Sequence, residues 1–144
     1  MEFSAFNEIV DRLRKNNKVM FALSNDSIAT ETELVKVEDY YQINLPKDYT
    51  KFLQTYGGGY FGYTIIYSCD SCSRFYLFDN VDIDWVKEYH FFPIIDFETG
   101  DLAGYRVNGQ NCEKLISLFC HDDNSITDCY VNLFDFILKH GLNI

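Results

Sequence analysis

The sequence predicts an α+β domain with a mainly antiparallel sheet, flanked by N-terminal helices and a C-terminal helix. Apolar residues recur at helical spacing near the start, aromatic and β-branched segments separated by turn residues follow, and helical spacing returns near the end. Helices and strands are thus segregated rather than alternating, which favours an antiparallel sheet. The 144 residues contain no repeat, low-complexity run or linker, so we expect a single domain over residues 1–144.

Three helices are predicted in the first part of the chain. Residues 2–15 place apolar side chains at intervals of three and four. Thr30 followed by Glu33 is a capping-box pattern, because each side chain can accept a hydrogen bond from the other residue's free backbone N–H. Pro46 suits the first position of a third helix, and the glycines from Gly57 onward end it.

Strands are predicted in the middle of the chain, at residues 60–67, 74–78, 91–97, 102–107 and 115–119. Turns separate them at residues 98–101, 108–109 and 122–125. Residues 133–140 then return to helical spacing, with Asn132 as the expected N-cap and Gly141 as the end.

The charge composition restricts the class of partner. The chain has 12 basic and 22 acidic residues, a net charge of −10, which repels nucleic-acid phosphates and anionic membranes and favours basic proteins. It lacks a membrane-length apolar run and the basic and apolar regions of a signal peptide. The odd number of cysteines, five, fits reduced thiols. We therefore expect a cytoplasmic protein that binds neither nucleic acid nor membrane.

Cys69 and Cys72 form a C-x-x-C motif, a pattern found in metal sites and redox sites. The remaining zinc ligands would come from Cys112, Cys120, Cys129, His90 or His121. No second C-x-x-C or paired histidine follows at zinc-finger spacing, and no βαβ pattern surrounds the motif as a thioredoxin-like site requires. We interpret the motif as a polar turn and predict no metal and no cofactor.

Other patterns with chemical potential lack the context that their chemistry requires. Gly57, Gly59 and Gly62 match G-x-G-x-x-G, but they follow a helix and precede a strand, the reverse of a dinucleotide site. No G-x-S-x-G nucleophile elbow accompanies the histidines. The aspartates near residues 96–101 and 122–128 do not form an EF-hand loop. The sequence therefore predicts no catalytic residue; a small hydrolase using His121 is the enzyme alternative.

The opening of the chain resembles the signature of the SUKH superfamily, in which a Glu-containing helix precedes a Leu-Pro pair and a Tyr-containing helix that ends in Gly. The matching residues are Leu34, Glu38, Tyr41, Ile43, Leu45, Pro46, Asp48, Tyr49, Phe52, Leu53, Gly57 and Gly58. Later blocks resemble the family in the same order, at residues 92–94 with 100–102, 118–123 and 133–137. The third glycine and the C-x-x-C segment depart from the pattern.

This resemblance implies a SUKH-like fold and a non-catalytic, protein-binding role. Many bacterial members of the superfamily are immunity proteins that neutralise the C-terminal domains, often nucleases, of secreted toxins used in bacterial competition. We therefore predict an antitoxin for a cognate toxin domain, a basic nuclease. The alternative is a regulatory protein-interaction module in a signalling or cell-wall assembly complex, as fungal members of the superfamily imply.

The candidate interface is a segment in which acidic residues surround a tryptophan, together with a later acidic turn. Aromatic anchors inside a charged rim are typical of protein–protein interfaces. The alternative is that the tryptophan fills the core while the acids face water. The predicted partner-binding residues are Asp79, Asp82, Asp84, Trp85, Glu88, Tyr89, Asp122 and Asp123.

Overall fold

The computed structural model describes the chain from Met1 to Ile144. Six helices and a seven-stranded sheet confirm the predicted α+β class. In chain order the elements are α1 (Phe3–Asn16), α2 (Glu31–Tyr41), α3 (Lys47–Tyr56), β1 (Gly59–Phe61), β2 (Thr64–Ile66), α4 (Leu77–Asn80), α5 (Ile83–Tyr89), β3 (Phe91–Asp96), β4 (Leu102–Asn108), β5 (Asn111–Cys112), β6 (Ser117–Cys120), β7 (Ser125–Asp128) and α6 (Leu133–His140).

Local sequence explains where the helices begin and end. The Thr30 hydroxyl accepts from the N–H of Glu33, whose carboxylate accepts from the N–H of Thr30, which confirms the capping box of α2. Pro46 is the N-cap of α3, one position before its expected place. Gly57 ends α3 at φ +86°, where a Cβ would lie 2.1 Å from the backbone oxygen of Asp26, so no other residue fits. Asn132 caps α6, as predicted.

The sheet runs in the order β1-β2-β3-β4-β6-β7, with β5 paired to β4, and every pair is antiparallel. Phe91 and Phe92 are consecutive in β3 and therefore point to opposite faces. The Phe92 ring lies 5.2 Å from that of Tyr41 in α2, whereas the Phe91 ring lies 6.2 Å from that of Trp85 in α5. Rings from α2 and α5 thus contact β3 from different faces.

The predicted strand at residues 74–78 is wrong. Only an isolated bridge joins Tyr76 to Ser68, and helix α4 begins at the next residue, Leu77. The Asn80 amide donates to the carbonyl oxygens of Arg74 and Tyr76 at 2.9 and 2.7 Å. These carbonyls are satisfied inside a turn and do not need a neighbouring strand.

The other differences concern short strands. The segment 60–67 is a hairpin of two strands, β1 and β2, that turns at Gly62 and Tyr63. The last predicted strand begins at Ser117 rather than at Leu115. The sequence did not predict β5 or the edge strand β7, whose residues are mostly exposed and lack the alternation that marks a half-buried strand.

One core of 33 buried residues unites the long helices with β2, β3 and β4. Phe91 and Phe119 are also buried but lie outside this core, beside α5. The fold thus holds α5 against a second, smaller aromatic cluster. None of the helices is long and apolar enough to cross a bilayer.

Candidate partner-binding surface

Four of the predicted carboxylates lie on α4, on α5 and on the residue that caps α5. Asp79 belongs to α4, Asp84 and Glu88 belong to α5, and the carboxylate of Asp82 accepts a hydrogen bond from the N–H of Trp85 at 3.1 Å. All four are exposed, and none forms a salt bridge with a cationic group of the chain. Their negative charge therefore faces solvent without a cationic partner.

Trp85 and Tyr89 attach α5 to the sheet. The rings of Trp85 and Tyr89 lie 4.9 and 5.3 Å from that of buried Phe119, both edge to face, and 4.8 Å from each other. Both side chains are half-buried. Their packing holds α5 in place, and their outer parts stay accessible; their contact with a partner stays a prediction.

Asp122 and Asp123 lie in the turn between β6 and β7, beside an ion pair of His121. The Nδ1 atom of His121 lies 2.6 Å from Asp101 Oδ1, and its Nε2 lies 3.2 Å from Asp122 Oδ1. The hydrogen bond to Asp101 raises the pKa of His121, and the backbone N–H of His121 lowers the pKa of Asp101. Both ring nitrogens face carboxylates rather than a nucleophile, so the arrangement orders the turn.

The acidic turn and α5 are both connected to strand β6. The ring of Phe119 in β6 contacts the rings of Trp85 and Tyr89. The end of β6 leads directly into the turn that contains Asp122 and Asp123. The structure therefore connects the two predicted acidic regions through one strand.

An aromatic groove next to Asp79 was not predicted from the sequence. It lies between α2 and the segment leading into α4, has a volume of about 510 Å³, and is lined by Lys36, Asp39, Tyr40, Tyr76 and Phe78. One signal could have indicated it. Tyr40 and Tyr41 are about 100° apart on a helix, so only one of them can face the core. Tyr41 is 2 % exposed and Tyr40 is 51 % exposed.

The C-x-x-C segment forms a loop fixed by Asp70. The Asp70 carboxylate accepts from the N–H groups of Ser27 and Cys72 at 2.9 and 3.0 Å. Cys69 is buried, which raises its pKa to about 12, whereas Cys72 is exposed. Nowhere in the structure do three His, Cys, Asp or Glu side chains gather closely enough to hold a metal ion.

Comparison with known proteins places the chain in a family. A family model described as "SUKH_6: SMI1-KNR4 cell-wall" matches residues 31–137, which is most of the chain. A search of curated proteins found no match. The matched region runs from the first residue of α2 into α6 and includes both acidic regions and the aromatic groove. The chain therefore belongs to the SUKH_6 (SMI1-KNR4) family of the SUKH superfamily.

Proposed function

We propose that this chain is an immunity protein, or antitoxin, which binds and neutralises the toxic nuclease domain of a cognate secreted bacterial toxin. The SUKH superfamily includes toxin immunity proteins and is generally non-catalytic, which supports a binding role. The observation that carries the proposal to this chain is the set of exposed, unpaired carboxylates on α4 and α5.

The proposed mechanism is electrostatic capture followed by local packing. A nuclease domain holds phosphates with basic groups, and an acidic inhibitor can cover those groups. Residues 77–89 contain four acidic residues and one basic residue, Lys87, a local charge of −3 within a chain of net charge −10. Complementary fields raise association rates to about 10⁸–10⁹ M⁻¹s⁻¹ at low salt. Such rates suit a toxin that must be stopped on entering the cytoplasm.

The first test is co-expression with toxin C-terminal domains encoded beside this gene, scored by cell survival and by isolation of a complex. Survival together with a salt-sensitive complex would support the proposal. Failure of rescue and of complex formation with every neighbouring toxin domain would overturn it.

A charge variant then tests the acidic surface within the complex. We would combine Asp79→Asn, Asp82→Asn, Asp84→Asn and Glu88→Gln; asparagine at position 82 still caps α5, so the helix start is preserved. The matched control neutralises four exposed acids elsewhere, namely Glu2, Glu8, Asp11 and Glu113. Both variants have the same net charge, −6, because each removes four negative charges from −10.

The α4–α5 variant should associate about 10-fold more slowly at low salt, with little change in dissociation. The control variant should change the association rate much less, and the difference between them should shrink as salt screens the charges. Equal slowing by both variants would mean that overall charge, rather than this surface, attracts the partner.

The alternative function is a non-catalytic regulatory module in a signalling or cell-wall assembly complex. The description of the matching family model names the cell wall, which favours this alternative over an enzyme. Deletion of the gene would distinguish the two functions. Sensitivity to cell-wall stress without sensitivity to any neighbouring toxin would favour the regulatory module.

A further inference from the structure

Phe78 forms the floor of the aromatic groove. Buried Tyr41 stacks on it at 5.7 Å with an interplanar angle of 8°. Tyr40 and Tyr76 each lie 5.2 Å from Phe78 and are inclined to it by 83° and 69°. Two upright rings therefore flank a floor that the core holds in place, and Tyr40 exposes half of its surface to solvent.

The groove continues along α2 into a smaller hollow of about 130 Å³. The hollow shares Lys36, Tyr76 and Phe78 with the groove and adds Glu33, Cys69 and Ser71. Glu33, Lys36 and Tyr40 are three and four residues apart, so they form one stripe of the helix. A long side chain of a partner could therefore lie along this stripe.

Carboxylate side chains line both the groove and the hollow. Asp39 lines the groove, Glu33 lines the hollow, and Asp79 follows Phe78 directly in the chain. Burial raises the pKa of Tyr76, and the nearby carboxylate of Asp79 raises it further. Among the residues that line the groove and the hollow, Lys36 is the only one with a positive charge.

Lys36 shows which chemistry the rings accept. Its Nζ atom lies 5.8 Å from the centre of the Phe78 ring and forms no salt bridge with a carboxylate. The chain thus places its own cation over the aromatic floor, where the negative face of the ring attracts it. A lysine has a flexible stem, so another cation can displace it.

An arginine side chain fits this arrangement better than lysine or an apolar group. Its planar guanidinium stacks on aromatic rings and donates two parallel hydrogen bonds to one carboxylate, which lysine cannot do. An apolar side chain would remove the charged walls from water without pairing them. We propose that the aromatic groove binds an arginine side chain of a basic partner protein and anchors the interface. This inference rests on the proposed function and deepens it by naming the anchor.

A peptide titration tests the groove without any toxin. A short glycine-flanked arginine peptide and its lysine counterpart would be added to the isotopically labelled protein, and the NMR signals of the aromatic rings followed. The arginine peptide should shift the ring signals of Tyr40, Tyr76 and Phe78 at lower concentration than the lysine peptide does. Equal responses to both peptides, or shifts spread over the acidic surface without the groove, would overturn the inference.

Variants in the complex with a cognate toxin domain provide the second test. Tyr40→Ala should weaken binding about 10-fold or more, as expected for an aromatic anchor. Tyr63→Ala is the matched control, since Tyr63 is 63 % exposed and lies in the β1–β2 turn, away from the groove, and it should leave affinity unchanged. Lys36→Gln should tighten binding about 3-fold because it removes the competing cation.

These outcomes separate the inference from the proposed function. Binding of the wild-type chain with no loss in Tyr40→Ala, or weaker binding of Lys36→Gln, would overturn the arginine anchor and leave the immunity function intact. Failure of the wild-type chain to bind any cognate toxin domain would overturn the immunity function, and the peptide titration would still decide whether the groove selects arginine.

Discussion

Tyr41 and Tyr105 are buried tyrosines whose hydroxyl groups differ in hydrogen bonding. The Tyr41 hydroxyl donates to the carbonyl oxygens of Leu77 at 3.2 Å and Val81 at 2.7 Å, which lie at the start of α4 and just after its end. The Tyr105 hydroxyl is buried without any partner. Replacement by phenylalanine removes one oxygen in each case, and we expect the two stabilities to change in opposite directions.

The size of each change in unfolding free energy depends on which buried polar groups lose a hydrogen-bond partner. In Tyr41→Phe, Leu77 keeps the hydrogen bond from the Val81 N–H at 2.8 Å, so the carbonyl of Val81 is the group that loses its partner. A lost hydrogen bond with an unsatisfied buried acceptor costs about 1–3 kcal/mol. At about 2–4 °C per kcal/mol for a domain near this size, a loss of about 2 kcal/mol lowers Tm by about 4–8 °C. Tyr105→Phe removes an unpaired polar group and should raise the free energy of unfolding by up to about 1 kcal/mol.

Thermal and urea unfolding at neutral pH measure both variants directly. Burial raises the pKa of both tyrosines, so both hydroxyls are protonated under these conditions. Hydrogen exchange should also become faster in α4 of Tyr41→Phe, because this hydroxyl ties α4 to α2. Destabilisation of both variants by similar amounts would refute the reasoning, because the hydrogen bonds of the two hydroxyls would then not determine the change in stability.

Three further predictions concern the candidate surface and the C-x-x-C loop. Trp85→Ala should lower the free energy of unfolding by about 2–3 kcal/mol in urea denaturation, below the range for a fully buried aromatic, because the ring is half-buried; an unchanged midpoint would contradict its packing role. The pKa of His121 in an NMR titration should lie above its usual 6.5 and fall in Asp101→Asn. The stabilisation from this pair is present below pH 6.5 as long as Asp101 is ionised, and it is lost as pH rises through the raised pKa of His121. An unchanged pKa in Asp101→Asn would exclude the pair. Cys72 should react with a thiol reagent faster than buried Cys69, and Cys72→Ser should remove the fast phase; a persistent fast phase would place the reactive thiol elsewhere.

Local sequence predicted the elements whose signals are themselves local. The capping box of Thr30 and Glu33, the glycine that ends α3 and the asparagine that caps α6 each act through hydrogen bonds or backbone angles within a few residues. This reasoning gave the wrong prediction for residues 74–78. From Phe75 to Phe78 the apolar and aromatic side chains alternate between buried and half-buried, as in a strand. The side chain of Asn80, however, donates to the carbonyls of Arg74 and Tyr76, and a turn forms instead.

The candidate site shows the same division. The acidic residues of α4 and α5 could be found from the sequence because charge along a short segment is visible in the residue order. The role of Trp85 could not, because it depends on Phe119, which belongs to a distant strand. The aromatic groove also escaped prediction, since Tyr40 and Phe78 meet only when α2 and α4 are packed together.

The sequence by itself determined the α+β class, the family resemblance, the helix ends and the strong negative charge of this protein. The tertiary structure alone decided which aromatics enter the core and which form the groove beside Asp79. The physical reason is that periodicity and capping depend on neighbours in sequence, whereas burial of an aromatic ring depends on the element that happens to pack against it. Tyr40 and Tyr41 are adjacent in the chain, and only the packing of α4 against α2 places Tyr40 at the wall of the groove and Tyr41 beneath its floor.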